Sequence, residues 1–238
     1  EGVTVDFPAV MERMRKLRAG ISPHDSAERF RKLGIDVFLG QGVFKDAHHV
    51  EVAGHTLEFR KAVIATGARA AAPPIRGLDD LDYLTNETLF SLTELPRRLA
   101  VIGTGPIGCE MAQAFARFGS EVLLIEAGNG ILPKEEPDAA RIVLKSLQQD
   151  GVRLLGGGKD LELAKSASGG ICLRVQSPQL NYEETVDQVL IGVGRAPNVD
   201  GLGLENAGVE FSKKGVVVND HLQTTCPHIY AAGDICSL

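Results

Sequence analysis

Cysteine is scarce in this chain: four in 238 residues, at Cys109, Cys172, Cys226 and Cys236. No two form C-x-x-C and none joins a histidine at zinc-finger spacing, which leaves no local dithiol and no metal-ligand set to assign. The four read as buried or half-buried thiols of a cytoplasmic protein. His48 and His49 would point to opposite faces of a strand, so they read as a solvated turn. Long apolar runs are missing as well. None approaches the ~20 residues that span a bilayer, which excludes a membrane helix. Positive charge is not in excess: Lys and Arg number 25 against 31 Asp and Glu, for a net charge of −6. No basic stripe offers itself to a phosphate backbone, so nucleic acid is not an expected partner. The opening, "EGVTVDFPAV", lacks both an initiator methionine and the basic-then-apolar pattern of a signal peptide. It reads as a cut into a longer protein.

What is present is ordinary α/β material, with 44% hydrophobic residues, 24% charged residues and 27 glycines, long enough for one or two domains. Phe7, Val10, Met14 and Leu17 recur on one helical face. "SPHD" suggests a second helix with Ser22 as N-cap, Pro23 at its first position and Asp25 as the reciprocal acid. Ala27, Phe30 and Leu33 then face inward and Gly34 ends it. "IDVFLG" is expected to be a strand. Over 42–59 the pattern changes to period two, with turns at Asp46-Ala47 and Ala53-Gly54, predicting a three-stranded antiparallel meander. "KAVIATGA" follows as a strand buried on both faces. The turn-rich segment from Pro73 to Arg98 reads as a linker to a second unit. That unit shows strand (Leu99–Ile102), glycine turn, helix (Pro106–Phe118), strand (Glu121–Glu126), helix (Pro137–Gln149) and strand (Val152–Leu155). A second meander is expected over 161–184, and "VDQVLIGVGR" closes the unit with a strand. Strands alternating with helices of this length imply right-handed βαβ units and a parallel sheet. The fold class is therefore α/β, and the two halves share an outline of sheet, meander and a strand ending in glycine.

The stretch "LAVIGTGPIGCEMAQAF" carries the most chemistry. Gly103, Gly105 and Gly108 fit G-x-G-x-x-G after a strand and at the opening of a helix. The first glycine permits the tight turn, the second lets a pyrophosphate approach bare backbone, and the third lets helix and sheet close up. Pro106 and Ile107 stand at the helix start, where amides and dipole favour an anion. Ile107, Met111, Ala114, Phe115 and Phe118 form the expected inward stripe. Glu126, 18 positions after Gly108, ends the next strand. It is either a solvated loop acid or, as the context favours, the acceptor for adenine ribose hydroxyls. No Arg or Lys follows it until Lys134. A 2′-phosphate would meet unrelieved repulsion there, so NAD(H) is expected over NADP(H).

Three further segments flank this turn in order: "VIATGA" (63–68), "IGVGRAPN" (191–198) and "HIYAAGDI" (228–235). With them the whole chain resembles the flavoprotein pyridine nucleotide–disulfide oxidoreductases, and within them the mercuric-reductase-like and dihydrolipoamide-dehydrogenase-like branch. The resemblance implies a Rossmann-like, three-layer NAD-binding domain inserted in a partial FAD-binding domain of the same type. Residues 1–95 would be the partial FAD-binding domain, 96–219 the NAD-binding domain and 220–238 the return segment. It further implies that Asp234, after Gly233, bonds a ribityl hydroxyl of FAD. Thr66, Gly67 and Ala68 would pass the flavin by backbone, and Gly194 would approach the NAD adenosine. Glu110 matches a glutamate that pairs with a lysine beside the redox cysteines; on its own it reads as a helix-dipole acid.

The departures are as informative. The family's own first G-x-G-x-x-G, its C-x₄-C disulfide, the lysine for Glu110 and the dimerisation domain have no counterpart in these residues. The resemblance implies a homodimeric parent enzyme that passes hydride from nicotinamide to FAD and then electrons to a disulfide or a metal ion such as Hg²⁺. A dihydrolipoamide-dehydrogenase-like enzyme, or a catalytically inert NAD-binding module, are the alternatives. A plain Rossmann dehydrogenase would leave the three flanking segments unexplained, and Y-x-x-x-K is absent.

Overall fold

The computed structural model describes residues 4–126, 128, 130–156, 160–167, 169–176 and 181–237. Residues 1–3, 127, 129, 157–159, 168, 177–180 and 238 lie outside them. The chain forms two compact units, one from the segment up to Arg18 with Ala70–Gly194, the other from Ala19–Arg69 with the segment from Arg195 onward.

In the first unit, helix α1 (Phe7–Ile21) enters from the N-terminal side. Strand β1 (Arg98–Ile102) leads through the glycine turn into α2 (Pro106–Phe118), then β2 (Glu121–Ile125), α3 (Pro137–Gln149) and β3 (Arg153–Leu155). The meander β4 (Asp160–Lys165), β5 (Ile171–Gln176) and β6 (Asn181–Val186) follows, and β7 (Gln188–Ile191) completes the parallel sheet. The sheet order is β7-β1-β2-β3, every pair parallel. The apolar runs of β1 and β2 are explained by burial on both faces. Leu99, Val101, Val122 and Leu124 face α1, α2 and α3 in one cluster. Their neighbours Ala100, Ile102, Leu123 and Ile125 face the meander's Leu163, Leu173 and Val175 in another. The three layers are thus helices, parallel sheet and antiparallel meander. Both main helices begin with a proline at the first position, where its missing N–H costs nothing. Gly119, at φ 111, ends α2.

Several expectations are corrected. On α1 the buried face is Phe7 and Met11 with Met14 partly covered, while Val10 and Leu17 are exposed. The face is set by Phe7, whose ring lies 5.7 Å from both Phe115 and Phe118 of α2. On α2 the buried residues are Gly108, Cys109, Ala112 and Phe115; of the expected stripe Phe115 is buried and Met111 and Phe118 pack against the same cluster, while Ile107 and Ala114 are only half-buried. The segment from Pro73 to Arg98 is no linker. Leu78 and Leu89 are buried, Leu84 donates its N–H to Val189 at 2.7 Å and accepts from Ile191 at 2.8 Å, and Leu163 donates to Arg76 at 2.9 Å. It is a strap bonded along the sheet and the meander.

In the second unit the first meander forms as predicted from Val43–Phe44, His49–Val52 and His55–Glu58. Ala53 and Gly54 both have positive φ, as a tight two-residue hairpin turn requires. Ala62–Ile64 pairs in parallel with Ile229–Ala231, and Val63 is 63% exposed, so this strand is buried on one face, not both. Residues 35–40 form no strand: Ile35, Phe38 and Leu39 are exposed and Val37 is tied by its carbonyl to Arg31. The cap of the short helix Ala27–Lys32 is Ser26, whose hydroxyl accepts from the Arg29 N–H at 3.1 Å; Ser22 opens a 3-10 turn instead. The core gathers Phe44, Ile64, Leu204, Val216, Ile229 and Ile235. Residues 196–219 therefore pack with the 220–237 segment. Likewise α1 and the strap pack with the parallel sheet, so the compact units divide at 18/19, 69/70 and 194/195 rather than at 95/96 and 219/220.

The strap supplies a direct check. Leu89→Ala should cost about 2–5 kcal/mol of stability, because it empties a closed site. Leu39→Ala, at a residue 71% exposed, should stay within about 0.5 kcal/mol. Denaturant unfolding of the two variants measures both, and equal midpoints would contradict the packing of the strap.

Candidate functional site

In an open parallel sheet the crevice lies beyond the carboxyl ends of the strands, where the order reverses. Here β2 and β7 flank β1 on opposite sides, which puts the reversal beside β1 and its glycine turn. Three glycines make that turn, for different reasons. Gly103 has φ +107, and a Cβ there would sit 2.5 Å from the Gly192 carbonyl oxygen. A Cβ on Gly108 would lie 1.9 Å from the Gly103 carbonyl oxygen. These two residues let strand, turn and helix touch backbone to backbone. Gly105 is different. Its φ of −71 and ψ of −179 suit any residue, and a Cβ there would meet nothing within 4 Å. Neither strain nor packing accounts for it, so the space above it is a cradle that a side chain would fill.

Gly105 is also the N-cap of α2, and it brings no side chain to the helix's free amides. No acid occupies the first turn. Glu110, expected there, lies one turn further in, exposed, and no ion pair engages it among the described residues. The positive end of α2, with Pro106 and Ile107 in its first turn, therefore faces the cradle with no acid in that turn itself. At the end of β2, Glu126 donates its N–H to Leu155 at 3.0 Å, and its carboxylate accepts from Gly128 N at 2.7 Å and from the Thr104 hydroxyl. Gly194 follows β7, exposed, at φ +137, and accepts from Ala71 N at 3.0 Å. Cys109, inside α2, is buried, and burial with the nearby Glu126 charge pushes its thiol up to about 11.

The second unit joins the other three sequence segments. Thr66 Oγ1 donates to the Asn198 carbonyl at 3.1 Å, and Asn198 Nδ2 returns a bond to the Thr66 carbonyl at 2.9 Å. Asn198 N donates to the Gly67 carbonyl at 2.9 Å. Arg195 donates to the Ala68 carbonyl at 2.7 Å and pairs with Asp234 at 3.0 Å. Gly233 turns at φ +81, and a Cβ on it or on Gly67 would meet nothing within 4 Å. Thr66, Gly67, Ala68, Gly233 and Asp234 are thus brought to one place by Arg195 and Asn198. Sequence reasoning did not single out those two. They stand in the "GRAPN" segment that it did use, and the available signal was two polar side chains within one short motif that follows a strand-ending glycine.

Parallel sheet, crossover helices and glycine turn define a Rossmann-like α/β protein. The chain belongs to the pyridine nucleotide-disulphide oxidoreductase family, whose model matches residues 9–238. It is 36% identical over 234 residues to a mercuric reductase of Lysinibacillus sphaericus, covering 97% of this chain and 42% of that one. It is 38% identical over 208 residues to a dihydrolipoyl dehydrogenase of Bacillus subtilis (strain 168), covering 86% and 45%. Among solved structures, the HOCl-induced flavoprotein disulfide reductase RclA from Escherichia coli superposes with a TM-score of 0.85 at 31% identity, covering 97% of this chain and 53% of that one. The chain spans about half the length of the relatives it matches. Among the described residues no helix is long and apolar enough to cross a membrane, and no group of three or more His, Cys, Asp or Glu side chains could hold a metal ion.

The three glycines separate in a mutational test. Gly105→Val should abolish nucleotide binding and leave the circular dichroism spectrum and melting temperature close to wild type. Gly108→Ala should unfold or strongly destabilise the unit, because the clash is with backbone. Unchanged NADH titration in Gly105→Val would place the site elsewhere.

Proposed function

We propose that the first unit binds a nicotinamide adenine dinucleotide, NAD(H) in preference to NADP(H), and that the second carries part of an FAD cradle. The parent protein then acts as a homodimeric oxidoreductase on a disulfide or a metal ion. The open space over Gly105 at the uncapped end of α2 is the single observation that carries this reading. When bound, the two cofactors supply the hydride donor and its acceptor, and with them the redox chemistry.

The residues present do the binding and orienting. The amides of the first turn of α2 receive the pyrophosphate on bare backbone. Glu126 accepts from the ribose hydroxyls. Against a 2′-phosphate at 4 Å and an effective dielectric near 20, each unit pair of like charges costs about 4 kcal/mol before screening. Gly194, free of a side chain at the adjoining strand end, leaves room for the adenosine. Thr66, Gly67 and Ala68, with Gly233 and Asp234, present backbone and one carboxylate to the flavin. Arg195, paired with it at 3.0 Å, keeps that carboxylate in place. Glu110 stays available for a cationic partner beside the redox centre. The relatives include both mercuric reductases and dihydrolipoyl dehydrogenases at similar identity, so disulfide and metal-ion substrates stand equally. By itself the chain is a nucleotide-binding module: no C-x₄-C pair occurs in it to accept electrons.

Two measurements test the reading. Calorimetric titration should show NADH binding more tightly than NADPH by at least about tenfold, given the repulsion at Glu126; equal or tighter NADPH binding refutes the preference. The purified chain should be colourless and take up FAD weakly, because G-x-G-x-x-G occurs once and serves the other nucleotide. A yellow preparation with stoichiometric flavin, or robust turnover of an artificial acceptor with NADH and FAD, would contradict the module reading.

A further inference from the structure

We infer that Thr104 is a positioning residue that sets the nucleotide preference by pinning the Glu126 carboxylate, an inference that rests on the nucleotide reading above. Thr104 is the variable position between the first two glycines of the turn, where a backbone motif makes no demand on the side chain. Yet it is 1% exposed, among the few buried polar residues of the chain. Its hydroxyl donates to Glu126 Oε2 and shares its proton with the Gly130 carbonyl at 2.9 Å. Its main-chain carbonyl accepts from Leu132 N at 2.8 Å and from the Cys109 thiol at 3.4 Å, so the residue is fixed at both ends. The other carboxylate oxygen, Oε1, accepts from Gly128 N at 2.7 Å.

Each carboxylate oxygen has about two acceptor positions. One on each is occupied from within the protein and one on each is left over. A carboxylate so held keeps its acceptors in place for a pair of neighbouring hydroxyls. It cannot turn aside when an anion arrives in their stead. The side chain is otherwise only half-buried and has three rotatable bonds, so without the Thr104 hydroxyl it can swing toward solvent and relieve the repulsion. Discrimination against a 2′-phosphate requires both the charge and its fixation. Glu126 provides the first and Thr104 the second.

The test is calorimetric titration of the 238-residue chain with NADH and with NADPH, for wild type, Thr104→Val, Thr104→Ser, Glu126→Ala and the double variant Thr104→Val/Glu126→Ala. Removing a hydrogen bond to a charged group should lower the NADH-to-NADPH affinity ratio about tenfold in Thr104→Val. Thr104→Ser should restore the wild-type ratio. Glu126→Ala should abolish the preference, and adding Thr104→Val to it should change the ratio no further. Thr104→Ala serves in the same comparison should the valine variant fail to fold by circular dichroism. Equal weakening of both nucleotides in Thr104→Val, or a serine variant that behaves like the valine one, would overturn the inference and leave Thr104 a packing residue. A wild-type chain that binds neither nucleotide would instead overturn the nucleotide reading itself.

Discussion

The first unit depends on one close approach of main chain to main chain. At Gly108 the helix α2 comes so near the end of β1 that a single Cβ would overlap the Gly103 carbonyl, and at Gly103 a Cβ would sit 2.5 Å from the carbonyl oxygen of Gly192, just past β7. A side chain at either place would push helix or strand away. Because neither has one, α2 starts immediately beyond β1 and points its unpaired amides along the sheet's carboxyl edge. The helix's placement and its capacity to receive an anion are consequences of the same contact. Burial on both sides of the sheet keeps that contact in register, since α1, α2 and α3 cover one face and the meander covers the other.

The second unit reaches a similar end by other means. Its short parallel pair, Ala62–Ile64 with Ile229–Ala231, offers few ladder bonds, so side chains do the fastening. Asn198 uses its backbone N–H, its carbonyl and its side-chain amide on Thr66 and Gly67, and accepts from Arg69 on the remaining oxygen at 3.1 Å. Arg195 joins Ala68 to Asp234. These partners are partly exposed, and surface ion pairs contribute little to stability. Their effect is on position: they hold three stretches far apart in sequence within hydrogen-bond distance of one another.

The parts of this structure that were legible in the sequence are those governed by local rules. The helices Pro106–Phe118 and Pro137–Gln149 have their expected bounds because proline at the first position and glycine or a turn at the end are local signals. The meander of Val43–Glu58 follows from period two and a hairpin turn. What misled was apolar content without periodicity. "IDVFLG" has the composition of a strand and no partner to make it one. The leucines of the Pro73–Arg98 strap looked like those of a loop, because nothing local reveals that Leu84 would bond to β7. The separate purposes of the three glycines were legible too, because each place in the motif carries its own backbone demand: Gly103 makes the turn, Gly105 leaves space and Gly108 lets helix and strand touch. Thr104 was invisible, as its role exists only through a side chain 22 positions away.

The same geometry bears on where electrons can go. A thiol takes part in electron transfer as its thiolate, so its acidity decides its use. Cys109 stands near the positive end of α2, a position that ordinarily favours a thiolate. Burial and the Glu126 carboxylate act in the opposite direction and prevail, pushing the thiol up to about 11. The sign is that of an acid weakened by folding. The neutral thiol is the folded form's preference, and its contribution to stability is present below the ordinary cysteine range and lost as pH climbs from about 9 toward about 11. Cys236 is pushed up by burial as well. Burial, with the Glu126 carboxylate adding to it, thus favours the neutral thiol of Cys109 even beside the first turn of α2, where the helix end alone would favour the thiolate.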